Sequence, residues 1–135
     1  MSWRAINRKA KGINGERDIV HLFWKAGWAA SRVAGSGAVS FPAPDVIAGN
    51  NIRKVVIEAK VTSSASKYFS KKEIEDLIEF ARIFGAEPWV SIKFPQSDWL
   101  FLNPEDLKAT PLGFSVSIRR AKALGLLFEE FIRTP

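Results

Sequence analysis

Residues 44–60 read PDVIAGNNIRKVVIEAK, from Pro44 to Lys60, and we expect the rest of the chain to be arranged around this stretch. Two short apolar runs flank a polar Gly49-Asn50-Asn51 turn, which predicts an antiparallel β-hairpin. Because side chains alternate between the faces of a strand, Glu58 and Lys60 share one face of the second strand. The hairpin is expected to bring Asp45, at the start of the first strand, close to Glu58.

This hairpin combines two carboxylates with one ammonium group. Carboxylates that lie close together repel each other, so the arrangement costs stability unless a cation joins them. Hard oxygen ligands suit Mg²⁺, or Mn²⁺ as a substitute, and Lys60 would hold or polarise a water beside that metal. Such a set is suited to hydrolysis of a phosphodiester. The same residues are equally compatible with an exposed sheet edge guarded by charges, and the pattern alone leaves both interpretations open.

Length and composition predict a single domain over residues 1–135, with 47% hydrophobic residues available for its core. No apolar run has the length of a membrane span and the first residues lack the apolar segment of a signal peptide, so we expect an intracellular, cytoplasmic protein. The chain has no cysteine and one histidine, His21. Thiolate nucleophiles and cysteine zinc sites are therefore excluded, and a Ser-His-Asp triad is disfavoured.

The charge balance favours polyanionic partners. Formal net charge is +6 and the sequence pI is about 9.8, which fits nucleic acid or an anionic membrane surface without choosing between them. Residues 3–11 contain four basic residues and little apolar pattern, which predicts a mobile arm over about residues 1–12 that contacts phosphates through Arg4, Arg8, Lys9 and Lys11.

A first helix is predicted from Asn14, as its N-cap, to Ala26, with Gly27 as the stop. Its expected buried stripe consists of the apolar residues at helical spacing, Ile19, Val20, Phe23 and Trp24. Glu16 lies on the same stripe, where a carboxylate is costly unless it is paired or binds a metal. Glu16 is therefore a candidate third acidic member of the site, or else a first-turn residue that complements the helix dipole.

The segments around the hairpin supply further candidate site residues. Residues 28–33 read as a strand that directs Arg32 toward the site, and the small-residue turn 34–38 would let Ser36 donate a hydrogen bond to a phosphate. Residues 62–69, which include Lys67, are expected to form an exposed loop at the mouth of the site.

A second helix is predicted after this loop. Ser70 and Glu73 form a capping box at its start, and Gly85 lies beyond its end. Lys71 and Lys72 in the first turn oppose the helix dipole, which indicates an anion there unless they are ordinary surface lysines.

The remaining chain predicts strands over residues 89–94, 99–102 and 114–118, with a helical turn at 105–107. A helix is predicted from Arg119 to Arg133. Its apolar surface exceeds what one small sheet covers, which indicates burial of part of it against a second subunit.

Short motifs spread over nearly the whole chain carry a family resemblance: Gly12-x-x-x-Glu16-Arg17, Arg32-x-Ala34-Gly35-Ser36, Pro44-Asp45-Val46-Ile47-Ala48-Gly49-Asn50, Ile57-Glu58-Ala59-Lys60-Val61-Thr62, Leu77-Ile78-Glu79-Phe80 with Phe84-Gly85, and Val90-Ser91-Ile92-Lys93-Phe94. In this order they resemble the archaeal Holliday junction resolvases. The resemblance implies an α/β fold like that of type II restriction endonucleases, with a mixed central sheet flanked by helices. It also implies a homodimer that nicks opposing strands of four-way DNA junctions with magnesium, in DNA recombination and repair.

The resemblance also implies roles for individual residues. Asp45 and Glu58 would be metal ligands, Glu16 the acidic residue that completes the site, and Lys60 the residue that orients the attacking water. Ser36 matches the family's loop serine, and two basic residues match those near the DNA, Arg17 and Arg32. We expect no membrane partner and no organic cofactor. Two alternatives are a related nuclease that acts on other branched or linear DNA and a non-catalytic DNA-binding module.

Overall fold

The computed structural model describes residues 2–33 and 41–134, without the side chains of residues 4–6. The predicted turn 34–38 and its Ser36 therefore lie outside the described residues, and so does the side chain of Arg4. The secondary-structure elements follow the order α1 (Trp3–Lys25), β1 (Ala29–Arg32), β2 (Val46–Gly49), β3 (Lys54–Val61), β4 (Ser66–Ser70), α2 (Lys71–Phe84), β5 (Glu87–Lys93), β6 (Leu100–Leu102), a 3₁₀ turn (Pro104–Asp106), β7 (Lys108–Thr110), β8 (Gly113–Ser117), α3 (Ile118–Leu124), β9 (Leu126–Leu127) and α4 (Phe128–Arg133).

The main sheet is mixed and has β3 near its centre. Its strand order is β1-β2-β3-β5-β6-β9, in which β3 and β5 run parallel and every other neighbouring pair runs antiparallel. A smaller sheet has the order β4-β8-β7. The predicted α/β class with a mixed central sheet flanked by helices is confirmed.

Helices cover both faces of the main sheet. On one face, Ile19 and Phe23 of α1 pack with Phe131 of α4 against Val55 and Ile57 of β3. On the other face, the packing partners come from α2, α3, the smaller sheet and β3, and include Ile74, Leu77, Ala121, Phe69 and Val56. The strand β3 thus alternates between two separate apolar layers, as a strand buried on both faces must.

The predicted hairpin is confirmed. Strands β2 and β3 pair antiparallel, with Val46 opposite Ile57 and Gly49 opposite Lys54. Asn50 closes the turn, since its side-chain oxygen accepts hydrogen bonds from the backbone N–H groups of Ile52 (2.8 Å) and Arg53 (2.7 Å). Alternation along β3 places Glu58 and Lys60 on the same face as Val56, the face covered by α2.

The first residues belong to α1 instead of forming a separate arm, and the predicted helix start at Asn14 is wrong. The helix α1 begins at Trp3. Arginine, alanine and lysine favour helix, so a segment that is rich in charge also has high helix propensity. The predicted stop at Gly27 is confirmed by its φ of 86°. Trp24 is 59% exposed instead of buried, and its indole N–H donates to the Ala30 carbonyl (2.9 Å).

The segment predicted as a loop at residues 62–69 ends in a strand. Ser66 to Ser70 pair with β8, and Phe69 is fully buried. The serine-rich start of the segment indicates a loop, but the Tyr68-Phe69 pair favours a strand once β8 offers a partner. Strand β7, which pairs with the other edge of β8, has no counterpart among the predicted elements.

The single C-terminal helix predicted over residues 119–133 is also wrong, because Gly125 ends α3 and β9 separates it from α4. A Cβ at Gly125 would lie 2.5 Å from the Ala121 carbonyl oxygen, so this tight turn needs glycine. The apolar side chains divide between the chain's own core, which buries Phe131 completely, and the surface, where Leu124 and Leu127 are exposed.

Candidate active site

The structure brings Asp45 and Glu58 together at one end of the hairpin. The Asp45 backbone N–H donates to the Ile57 carbonyl (3.0 Å), which extends the pairing one residue beyond β2. The Asp45 carboxylate accepts a hydrogen bond from the Ala59 N–H (2.9 Å). Asp45 is thereby fixed to the backbone of β3 directly beside Glu58.

The pKa of Glu58 lies far from its ordinary value. Burial, followed by the charge of Asp45, raises the pKa of Glu58 to about 9, while Lys60 acts in the opposite direction. A hydrogen bond between the Asp45 and Glu58 side chains favours the protonated form of Glu58. A buried carboxyl group with this pKa stays protonated at neutral pH until a cation replaces the proton.

Glu16 approaches Asp45 from α1. The Arg32 Nε–H donates to Glu16 Oε1 (3.0 Å), and both side chains are largely buried. Burial and then the charge of Asp45 raise the pKa of Glu16, while Arg32 lowers it. Gly15 allows this close approach, because a Cβ there would lie 2.7 Å from Val61 Cγ2. The placement of Glu16 and Arg32 beside the hairpin carboxylates agrees with the sequence analysis.

Lys60 is held by two carboxylates. Its Nζ lies 2.6 Å from Glu73 Oε2 and 3.7 Å from Glu58 Oε2. Burial alone would lower the pKa of Lys60, but the contacts with Glu73 and Glu58 raise it overall. Glu73 is the capping-box residue of α2, and sequence reasoning gave it no part in the site. The capping pattern was the only available signal, and it does not reveal the contact with Lys60.

The predicted DNA-contacting residues fall into three groups. Lys67 of β4 is half-buried near the site, where burial and the charge of Lys60 lower its pKa. Lys71 and Lys72 form ion pairs one turn along α2 with Glu75 and Asp76, so the anions beside them include the chain's own carboxylates. Of the rest of the predicted set, Arg32 pairs with Glu16, and four exposed residues lie on α1, namely Arg8, Lys9, Lys11 and Arg17.

Arg17 and His21 line a surface cavity of about 640 Å³ that none of Glu16, Asp45, Glu58 and Lys60 lines. His21 is a surface residue, as its position in the sequence indicates.

The donor set of the site fits a hard divalent cation. Within residues 2–33 and 41–134, no three acidic or histidine side chains are gathered at metal-ligand spacing. Asp45 lies beside the buried Glu58, however, and its charge favours the protonated form of Glu58. Carboxylate oxygens are the preferred ligands of Mg²⁺ and Mn²⁺, and metal binding displaces such protons. Glu16 is linked to Arg32 and lies close enough for the charge of Asp45 to raise its pKa.

Comparison with known proteins identifies the family. The family model described as archaeal Holliday junction resolvase (Hjc) matches residues 7–135. The chain belongs to the archaeal Holliday junction resolvase family. Among its Hjc relatives, the crossover junction endodeoxyribonuclease Hjc of Archaeoglobus fulgidus is 40% identical over 129 residues, which cover 90% of this chain and 95% of the relative. The Hjc of Methanocaldococcus jannaschii is 37% identical over 122 residues, which cover 90% of this chain and 86% of that protein.

A solved Hjc structure shows the same fold. The structure of A. fulgidus Hjc, a Holliday junction resolvase from an archaeal hyperthermophile, matches with a TM-score of 0.82 and 41% sequence identity. The match covers 87% of this chain and 94% of that one. The family resemblance drawn from the sequence motifs is confirmed, and so is the restriction-endonuclease-like fold. None of the described helices has the length and hydropathy needed to cross a membrane.

Proposed function

We propose that this chain resolves four-way DNA junctions by metal-dependent hydrolysis of phosphodiesters at Asp45 and Glu58. The endonuclease activity and the junction substrate rest on family membership and on relatives named crossover junction endodeoxyribonucleases. The observation that carries the chemistry is the contact between two carboxyl groups at the end of β3, where Glu58 has a pKa of about 9.

In this proposal Asp45 and Glu58 would hold Mg²⁺, or Mn²⁺ in its place, with Glu16 as a third acidic residue. When bound, the ion would stabilise charge on the scissile phosphate and lower the pKa of a nucleophilic water. Asp45 is oriented for this role by the Ala59 N–H, and Glu16 by Arg32. The carboxylates therefore stand in fixed positions before any cation arrives.

Lys60 would supply positive charge beside the reacting phosphate. Its ammonium lies 3.7 Å from Glu58, where it can hold the attacking water or stabilise charge that develops during the reaction. Ser36 remains a proposed hydrogen-bond donor from the loop outside the described residues.

Binding of the DNA arms would use the basic residues around this centre. Their charges would neutralise phosphates and release counterions. The proposed set comprises Arg4, Arg8, Lys9, Lys11, Arg17, Arg32, Lys67, Lys71 and Lys72.

Paired nicking on opposing strands requires two active sites. The described part of the chain holds one Asp45–Glu58 pair, so we propose that the single-domain chain acts as a homodimer, in which symmetry places two sites on one junction. Because its substrate is cellular DNA, we place the enzyme inside the cell with the DNA.

A cleavage assay on a synthetic four-way junction tests this function. We expect wild-type protein to make paired nicks only with Mg²⁺ and to keep doing so in excess linear duplex. Asp45→Asn is expected to lower the cleavage rate about 100- to 1,000-fold. Asp18→Asn, which changes an exposed aspartate of α1, is the matched control and should cleave like wild type.

Each alternative gives a different result in this assay. Equal cleavage by wild type and Asp45→Asn would reject the assigned site. Cleavage that excess linear duplex abolishes would indicate a nuclease of broader target. Binding of the junction without any metal-dependent cleavage would indicate a non-catalytic module.

A further inference from the structure

Glu73 uses its two carboxylate oxygens for different partners. Oε1 accepts the backbone N–H of Ser70 (3.1 Å), which completes the capping box of α2. Oε2 lies 2.6 Å from the Lys60 ammonium. One side chain therefore joins the start of α2 to the end of β3.

The cap fixes the Glu73 carboxylate before it meets Lys60. Ser70 is the last residue of β4 and the N-cap of α2, and its hydroxyl accepts the Glu73 N–H (3.1 Å). The carboxylate is thus hydrogen-bonded to the backbone N–H of Ser70, which a substitution of the Ser70 side chain leaves in place. Lysine has a long, flexible stem, so its ammonium takes the position that its partners impose.

The distances from Lys60 Nζ show which carboxylate lies closer to the ammonium. Lys60 Nζ is 2.6 Å from Glu73 and 3.7 Å from Glu58, so the shorter contact is with the helix. Without Glu73, the ammonium would be free to close on Glu58. A close Lys60–Glu58 pair would compete with any cation for the Glu58 oxygens and would displace the ammonium from the phosphate.

We propose that Glu73 is a positioning residue for Lys60, holding its ammonium on the α2 side of the Asp45–Glu58 pair. The inference rests on the proposed function and extends it, because it assigns the site a fourth carboxylate that binds neither metal nor substrate. A capping box needs one oxygen, and glutamine serves as well as glutamate there. The negative charge on the second oxygen therefore serves Lys60.

Two variants separate the cap from the contact with Lys60. Glu73→Gln keeps a capping acceptor and removes the charge, whereas Ser70→Ala removes the capping hydroxyl and keeps Glu73. Both are compared with wild type in single-turnover junction cleavage at saturating protein, in junction binding without metal, and in thermal unfolding.

We expect Glu73→Gln to lower the saturating cleavage rate about 10- to 100-fold, as substitutions behind a ligand typically do, while junction affinity stays near that of wild type. Ser70→Ala should lower the Tm and leave the saturating rate unchanged. If wild type cleaves and Glu73→Gln cleaves at the same saturating rate, the positioning role is overturned and the proposed function stands. If Ser70→Ala loses the same activity as Glu73→Gln, Glu73 acts only through the cap and the positioning role is overturned.

A measurement without substrate or metal keeps the inference separate from the proposed function. Lysine ammonium resonances in ¹H–¹⁵N spectra are observed when hydrogen bonding protects them from exchange. The Lys60 resonance should appear in wild type and in Ser70→Ala and disappear in Glu73→Gln. Its absence from wild type, or its survival in Glu73→Gln, would overturn the positioning of Lys60 whether or not the protein cleaves junctions.

Discussion

The two ends of β3 hold buried charge in opposite ways. At the start, Arg53 is 8% exposed and every donor group has an acceptor. Its Nε and Nη2 donate to the two Glu87 oxygens at 2.9 Å each, and its Nη1 donates to the Phe131 and Thr134 carbonyls. Its guanidinium also lies over the rings of Trp28 and Phe131. This end ties the C-terminal helix to the hairpin turn.

At the other end, carboxylates outnumber the cations that contact them. Glu16, Asp45, Glu58 and Glu73 face Arg32 and Lys60, and the pKa of Glu58 is about 9 as a result of burial and of the charge of Asp45. Residues in such a state reduce stability, and they persist where function requires them. The contrast indicates that the matched end of β3, around Arg53 and Glu87, serves the fold. It supports the proposed catalytic role of the mismatched end, around Asp45 and Glu58.

The largest stability effect is expected at the matched end. Arg53→Met should lower the free energy of unfolding by about 3 kcal/mol or more, because it leaves buried acceptors without a partner. Arg82→Met is the control, since Arg82 pairs with Glu79 on the exposed surface of α2, where ion pairs contribute little. Urea unfolding of both variants measures the difference. Equal losses would show that Arg53 has no special role in the fold.

The next effect is a pH dependence at the mismatched end. At pH values between 4.5, the ordinary pKa, and about 9, the pKa in the folded state, Glu58 keeps its proton in the folded state and loses it in the unfolded chain. The stability that this proton contributes is therefore complete below pH 4.5 and is lost as pH rises toward 9.

In the Glu58→Gln variant, the side chain at position 58 has no carboxyl group to titrate in this pH range. In metal-free buffer, its stability relative to wild type should rise with pH by a few kcal/mol, since one pKa unit corresponds to about 1.4 kcal/mol. Chemical unfolding across this pH range measures the trend. Parallel curves for the two proteins would contradict a raised pKa of Glu58.

The sequence predicts much of the mismatched end and little of the matched end. A period of two suffices to place Glu58 and Lys60 on one face of β3, and helical spacing places Glu16 on the buried stripe of α1. Arg53 appears in the sequence only as one residue of a turn, because its partners lie 34, 78 and 81 residues away. The Glu73–Lys60 contact likewise depends on how α2 packs on β3, which local patterns do not contain.

The prediction for the N-terminal segment differs from the structure for another reason. High charge with little apolar pattern indicates a segment without regular structure, although arginine, lysine and alanine also favour helix. In the C-terminal segment, the apolar residues keep helical spacing across Gly125, so the spacing does not reveal that α3 ends there. Close contact with the Ala121 carbonyl requires the smallest residue at this position.

The smallest predicted effect concerns a lysine beside the mismatched end. Lys60 contacts two carboxylates, Glu58 and Glu73. In Lys67, by contrast, burial and the nearby charge of Lys60 lower the pKa. An incoming phosphate would relieve that repulsion, so Lys67→Gln should weaken junction binding and reduce the slope of log K against log[salt] by about 1. Lys122→Gln, on the exposed side of α3, is the control and should leave the slope unchanged. Equal slopes for wild type and Lys67→Gln would remove Lys67 from the DNA contacts.

We propose that the mismatched end is maintained for catalysis at the expense of stability. The most direct test measures junction cleavage with Mg²⁺ and thermal unfolding without metal on the same preparation of Glu58→Gln. We predict a cleavage rate about 1,000-fold below wild type, together with a Tm equal to or above that of wild type at neutral pH. Wild-type cleavage, or a Tm that falls along with activity, would contradict the claim and show that Glu58 serves the fold.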